Sequence, residues 1–149
     1  MTAVRDAFEI AAPGGFPGTY LGTVVSVKDD DRRTRVQVRL LNCDGIAGHD
    51  GPIWARVAVP FAGKRYGAFM LPGVGDEVVV TFLQGDPRFP IVVGSLWNGA
   101  AEPPDQLGGS GNRVDRWTIV APRKTRIAVV EETEGQATIT LRDEDPPTA

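Results

Sequence analysis

Across residues 52–98 the apolar residues fall in short alternating or continuous runs, and glycine and proline cut between them. That pattern leaves no room for a helix of ordinary length and confines the stretch to β-strands joined by tight turns. Residues 54–59 form the first run. Gly73-Val74-Gly75-Asp76 then makes a turn, and a valine-rich strand, residues 77–82, leaves it. Gln84-Gly85-Asp86-Pro87 turns again, and residues 91–97 return. In that second turn glycine permits a positive φ, aspartate can accept from the backbone ahead of it, and proline presets φ, which suits a hairpin. Pro90 stands at a strand start, where a missing N–H is tolerated.

The flanking chain keeps the same period. Residues 20–29 read as a strand with Tyr20, Gly22, Val24, Ser26 and Lys28 on one face and Leu21, Thr23, Val25 and Val27 on the other. The second face carries more apolar bulk and is expected to face the core. After the charged turn Asp29-Asp30-Asp31-Arg32-Arg33, residues 35–41 alternate Val36, Val38 and Leu40 against Arg35, Gln37 and Arg39, the mark of a half-buried strand. A helical turn or two is expected only near residues 65–71. The strand count to Trp97 matches a closed five-stranded Greek-key barrel of the OB type, and closure removes the edges that invite aggregation.

Four segments follow: an arm at 1–18, the barrel at 19–98, a Gly/Pro linker at 99–112 and a β-segment at 113–149. Phe8, Ile10 and Phe16 give the arm apolar residues, and it is read either as a loose terminus or as an arm docking on a neighbouring subunit. In the last segment residues 117–121, 126–131 and 137–142 are short β runs, the last alternating Ala137, Ile139 and Leu141 against Thr138, Thr140 and Arg142. An isolated small sheet is marginal in water, so this apolar face needs the barrel or copies of itself as a partner.

Composition narrows the function classes. The chain has 149 residues, one Cys and one His, a formal net charge of −3 and a pI near 5.1. One cysteine excludes an internal disulfide framework and a cysteine-rich zinc site. The N-terminus has no continuous apolar core of the secretory-signal type, and no apolar run is long enough to span a bilayer, so synthesis in the cytoplasm is expected. Cys43 and His49 share a loop but lack a third group to complete a nucleophile, base and orienter set. Asp76, Glu77 and Asp86 are explained by their turns better than by paired-carboxylate chemistry. Neither Gly73-x-Gly75 nor Gly108-Gly109-Ser110-Gly111 is followed by the Lys-Ser/Thr of a phosphate loop. No catalytic, cofactor or metal residues are expected, and the chain reads as a non-enzyme. A rival from another class is an OB module for single-stranded nucleic acid, with Arg32, Arg33, Arg35 and Arg39 on the first hairpin and Tyr20 or Trp54 for stacking. The acidic balance and the neighbouring Asp29-Asp30-Asp31 weigh against it.

Several motifs together carry a resemblance. Trp54-Ala55-Arg56-Val57-Ala58, Pro60…Ala62-Gly63, Pro72-Gly73-Val74-Gly75-Asp76-Glu77-Val78, Gly85-Asp86-Pro87…Pro90-Ile91-Val92-Val93-Gly94-Ser95 and Asn98…Pro103-Pro104 resemble the signature of phage baseplate assembly protein V and the VgrG spike proteins. The hairpin Gly18…Gly22-Thr23-Val24 and Arg35-Val36-Gln37-Val38-Arg39-Leu40 is similar to that family's opening, and Thr133-Glu134-Gly135…Ile139-Thr140-Leu141 resembles the start of its β-helical needle. The resemblance implies an OB barrel followed by a β-prism intertwined in a homotrimer, at the tip of a contractile tail or related injection machine. There the trimer caps the inner tube, mates with a baseplate hub and forms or carries a point that meets the target membrane mechanically. The needle is short and no His-x-His pair is present to bind iron at an apex, so a separate PAAR-type tip protein or a blunt tip is expected. Trp117, Ile119, Ile127, Val129, Ile139 and Leu141 are the candidates for trimer contact, with packing inside the chain as their alternative. Phe8, Ile10, Phe61, Tyr66 and Phe69 are the candidates for hub contact.

Overall fold

The computed structural model describes residues 15–41 and 51–143. Phe8, Ile10, Cys43 and His49 lie outside the described residues. All regular structure within them is β apart from one 3-10 turn, Leu83–Gly85. The chain divides into two units between Asn98 and Gly99.

The first unit is a closed barrel. Its strands are β1 (Thr19–Ser26), β2 (Arg35–Leu40), β3 (Ile53–Val57), β6 (Glu77–Phe82) and β7 (Pro90–Leu96), in the order β1-β2-β3-β7-β6 and back to β1. β3 and β7 run parallel, and the other neighbours are antiparallel. Register shifts between Val24 and Ser26 and between Val79 and Val80 bend β1 and β6–β7, which helps a small sheet close on itself. Alternation sends Val36, Val38 and Leu40 inward from β2, and Val78, Val80 and Phe82 inward from β6. Val24, Ala55 and Val92 complete a core rich in β-branched side chains, which fit the pleated surface with little rotamer freedom to lose.

Two expectations are corrected here. The inward face of β1 is the one bearing Tyr20, Gly22 and Val24, whereas Leu21 and Val25 are exposed. The cause is Gly22. A Cβ at that position would overlap Val38 Cγ1 and stand 3.1 Å from the Arg39 carbonyl oxygen, so β1 and β2 approach closely only with glycine inside. Counting apolar bulk favours the wrong face, because the side chain that decides the packing is missing. The second correction is the helical turn expected near residues 65–71. Here β4 (Ala62–Gly63) and β5 (Tyr66–Gly67) form a small hairpin, with Arg65 at φ 67° in its turn and the Tyr66 ring laid over Gly63.

Phe16, assigned from sequence to the arm, packs against its own barrel. Its N–H donates to the Gly85 carbonyl at 2.8 Å, and its ring meets Tyr20 and Phe82 at centroid distances of 5.4 and 4.9 Å.

The second unit contains β8 (Arg116–Val120), β9 (Thr125–Val130) and β10 (Thr138–Asp143), an antiparallel meander in the order β10-β9-β8. Lys124 at φ 65° and Gly135 at φ 76° make the two turns.

Candidate functional site

The strongest candidate surface is one face of the β8–β9–β10 sheet, and pairing register builds it. Trp117 lies opposite Val129, which lies opposite Ile139; Ile119 lies opposite Ile127, which lies opposite Leu141. All six trimer candidates therefore share a single face in two cross-strand rows. Val129 is half-buried, while Trp117, Ile139 and Leu141 are 74, 77 and 75% exposed. These side chains form a contiguous apolar patch rather than ordinary surface scatter.

On the opposite face, donors of β8 and β9 are engaged by their own chain. Asp105, from the linker, accepts from Thr118 Oγ1 at 2.8 Å, from Arg126 Nη2 at 2.5 Å and from Arg116 Nη1 at 3.3 Å. These hydrogen bonds to the ionised form, Thr118 foremost, hold the Asp105 carboxyl below its usual range. Arg116 also pairs with Asp115 at 3.0 Å and with Glu132, and Asp115 accepts from the Gly108 N–H at 3.0 Å. Ala128 sits buried on this face. The Asp105 latch was not legible in sequence, where residues 99–112 read as a spacer; Pro103-Pro104-Asp105, with proline stiffening the approach to the acid, was its faint signal.

A second surface is formed on the barrel unit. The end of β3, the segment that follows it to Leu71 and the turn before β2 border a groove of about 530 Å³ lined by Arg33, Arg56, Phe61, Arg65, Tyr66 and Phe69, among others. The hub candidates Phe61, Tyr66 and Phe69 thus come together, and all three are exposed.

Candidates for nucleic-acid stacking are arranged differently. Tyr20 is engaged with Phe16 and Phe82 at the base of the barrel, its ring 5.5 Å from that of Phe82. Arg35 forks onto Asp29 and also reaches Asp31, both at 2.8 Å, and its guanidinium stands 5.4 Å over the Trp54 ring. Asp29 in turn accepts from the Asp31, Arg33 and Arg35 backbone N–H groups. The Arg35 fork is the main cause that drives the Asp29 carboxyl far below the ordinary carboxylate range. These groups stabilise the β1–β2 hairpin rather than forming a basic track. Among the described residues, no three His, Cys, Asp or Glu side chains gather as a metal site requires.

Comparison with known proteins agrees with this architecture. Residues 20–97, more than half of the chain, match the family described as the type VI secretion system/phage-baseplate injector OB domain. The type VI secretion system spike protein VgrG4b of Pseudomonas aeruginosa is 38% identical over 84 residues, covering 56% of this chain and 10% of that protein. VgrG1a of the same organism is 43% identical over 54 residues, 36% of this chain and 8% of that protein. VgrG3 of Vibrio cholerae is 45% identical over 54 residues, 36% of this chain and 5% of that protein. The matched stretch is thus a tenth or less of each of these relatives. A closed all-β barrel, the glycine and proline turns that shape it and the match along nearly its whole length converge on one assignment: the chain belongs to the type VI secretion system/phage-baseplate injector OB-domain family.

Proposed function

We propose that this chain is a non-enzymatic structural component of an injection-machine spike, in which three copies join through the β8–β9–β10 sheets into a stiff stalk below the barrels. One observation carries the reading: six apolar side chains occupy one face of a sheet whose other face is latched by its own chain. Burying such a face against two sister copies gives each strand layer a shared core, so one chain can fray only by breaking contacts with both others. Penetration under axial load needs that stiffness. The reading extends to a baseplate hub and inner tube met by the barrels, a separate PAAR-type tip protein, and mechanical contact with a target membrane. The phage-tail, type VI and extracellular forms of the machine share these requirements.

Light scattering at micromolar concentration tests it. A trimeric mass for the full chain is expected. A chain lacking residues 113–149 is expected to be monomeric with an intact barrel; a trimer unchanged by that deletion moves assembly to the barrel. A monomeric full chain overturns the proposal.

A further inference from the structure

The groove beside the β4–β5 hairpin has a chemistry that the barrel itself does not use. Arg35, Arg88, Arg116 and Arg126 each hold a carboxylate. Arg33, Arg56 and Arg65, which line the groove, have no carboxylate partner among the described residues. Phe61, Tyr66 and Phe69 line the same groove, with Phe69 80% exposed. The β4 and β5 strands pair only with each other among the described residues, leaving short backbone edges beside the groove. Tyr66 over Gly63, together with the Ala68 N–H donating to the Phe61 carbonyl at 3.0 Å, keeps the hairpin closed.

We propose that this groove receives an extended acidic segment of a partner protein, with its apolar side chains on Phe61, Tyr66 and Phe69 and its carboxylates on Arg33, Arg56 and Arg65. The proposal rests on the reading of the barrel as the part that meets a hub, and it supplies the chemistry of that contact. Guanidinium groups favour planar carboxylates through paired N–H donors, and exposed rings beside them take the aliphatic or aromatic residues between those acids. An open strand edge suits an extended backbone. A protein fits better than a nucleic acid. A peptide backbone can add its N–H and C=O groups to the open β4–β5 edge, which a sugar-phosphate backbone cannot do.

Fluorescence anisotropy on the full chain at physiological salt tests the proposal. The probes are a labelled ten-residue peptide of alternating Glu and Leu, its Gln-for-Glu counterpart, and labelled ten-residue oligo-dT. Saturable binding of the Glu peptide is expected, weakened about tenfold or more for the Gln counterpart and for an Arg56→Ala/Arg65→Ala double variant, with no saturable binding of oligo-dT. An Arg56→Lys/Arg65→Lys variant, which keeps charge but loses the fork, is expected to lie between. No saturable peptide binding, equal affinity for the Gln counterpart, an unchanged double variant with an unchanged melting curve, or tighter binding of oligo-dT overturns the proposal. Light scattering on the same samples separates the two readings. A monomeric mass sinks the stalk while leaving the titration readable, and a trimer that ignores the peptide sinks the groove alone.

Discussion

At the scale of single residues, the barrel depends on side chains that are small or fully committed. Gly22 lets β1 and β2 close, and a methyl group there meets the Val38 side chain and the Arg39 backbone. Gly22→Ala is expected to destabilise the barrel by about 1–3 kcal/mol in urea unfolding, the usual cost of overpacking, and an unchanged midpoint would refute this account of the β1 face. Asp86 offers a test by pH. Its carboxylate accepts from the Arg88 side chain and, at 2.9 Å, from the Arg88 backbone N–H, and these bonds push its pKa from 3.8 to about 2. A carboxyl lowered in the folded state stabilises fully above its unfolded value, and that contribution fades as pH falls from about 4 towards 2. Carbon-detected NMR is expected to place the Asp86 midpoint near 2 and to move it back towards 3.8 in Arg88→Ala, whose stability should also fall less steeply across that window. The Asx-type bond to Arg88 was legible in Gly85-Asp86-Pro87. The Asp29–Arg35 fork was not, because three aspartates compete for it in sequence and only the hairpin's geometry gives the two-point contact to Asp29, with Asp31 as a single-point second partner.

At the scale of elements, the three-stranded sheet is organised by the contrast between its faces. Asp105 gathers donors from β8 and β9, so Asp105→Ala removes one acceptor from each of Arg116, Thr118 and Arg126 in a half-buried setting. A loss of about 1–2 kcal/mol in the unfolding of the second unit is expected, with faster proteolysis near residues 99–112. Equal proteolysis rates in variant and parent would show the latch to be dispensable. The period-two alternation of residues 137–142 already separated Ile139 and Leu141 from Thr138 and Thr140. Which β8 and β9 residues join them depends on register, and register comes from turn geometry at Lys124 and Gly135 rather than from local pattern. The β4–β5 hairpin escaped notice because two-residue strands give too short a pattern to set a period.

For the whole molecule, the decisive surface is the apolar row pair on the second unit. Replacing Ile139 and Leu141 together with Asp puts charge on that face without touching the barrel. Size-exclusion chromatography with light scattering is expected to show a fall from trimer to monomer, while the barrel's melting transition stays where it was. A mass unaffected by the double substitution would assign self-association elsewhere. The spike assignment gains support from the family match over residues 20–97. The three-stranded sheet lies beyond the matched stretch, and the mass measurements above test its part in assembly.

Sequence alone determined the all-β class and the succession of the longer strands with the turns between most of them, though not the β4–β5 hairpin, because alternation with period two and the backbone preferences of glycine, proline and aspartate are local properties. It also revealed the family, since turn motifs at set spacings survive in order along a chain. Tertiary structure alone decided which face of β1 points inward, how Arg35 divides between Asp29 and Asp31, and how Asp105 crosses back to the sheet. Each of these is settled by a close approach that no local period encodes, where the geometry of the approach rather than the hydropathy of the residue selects the outcome.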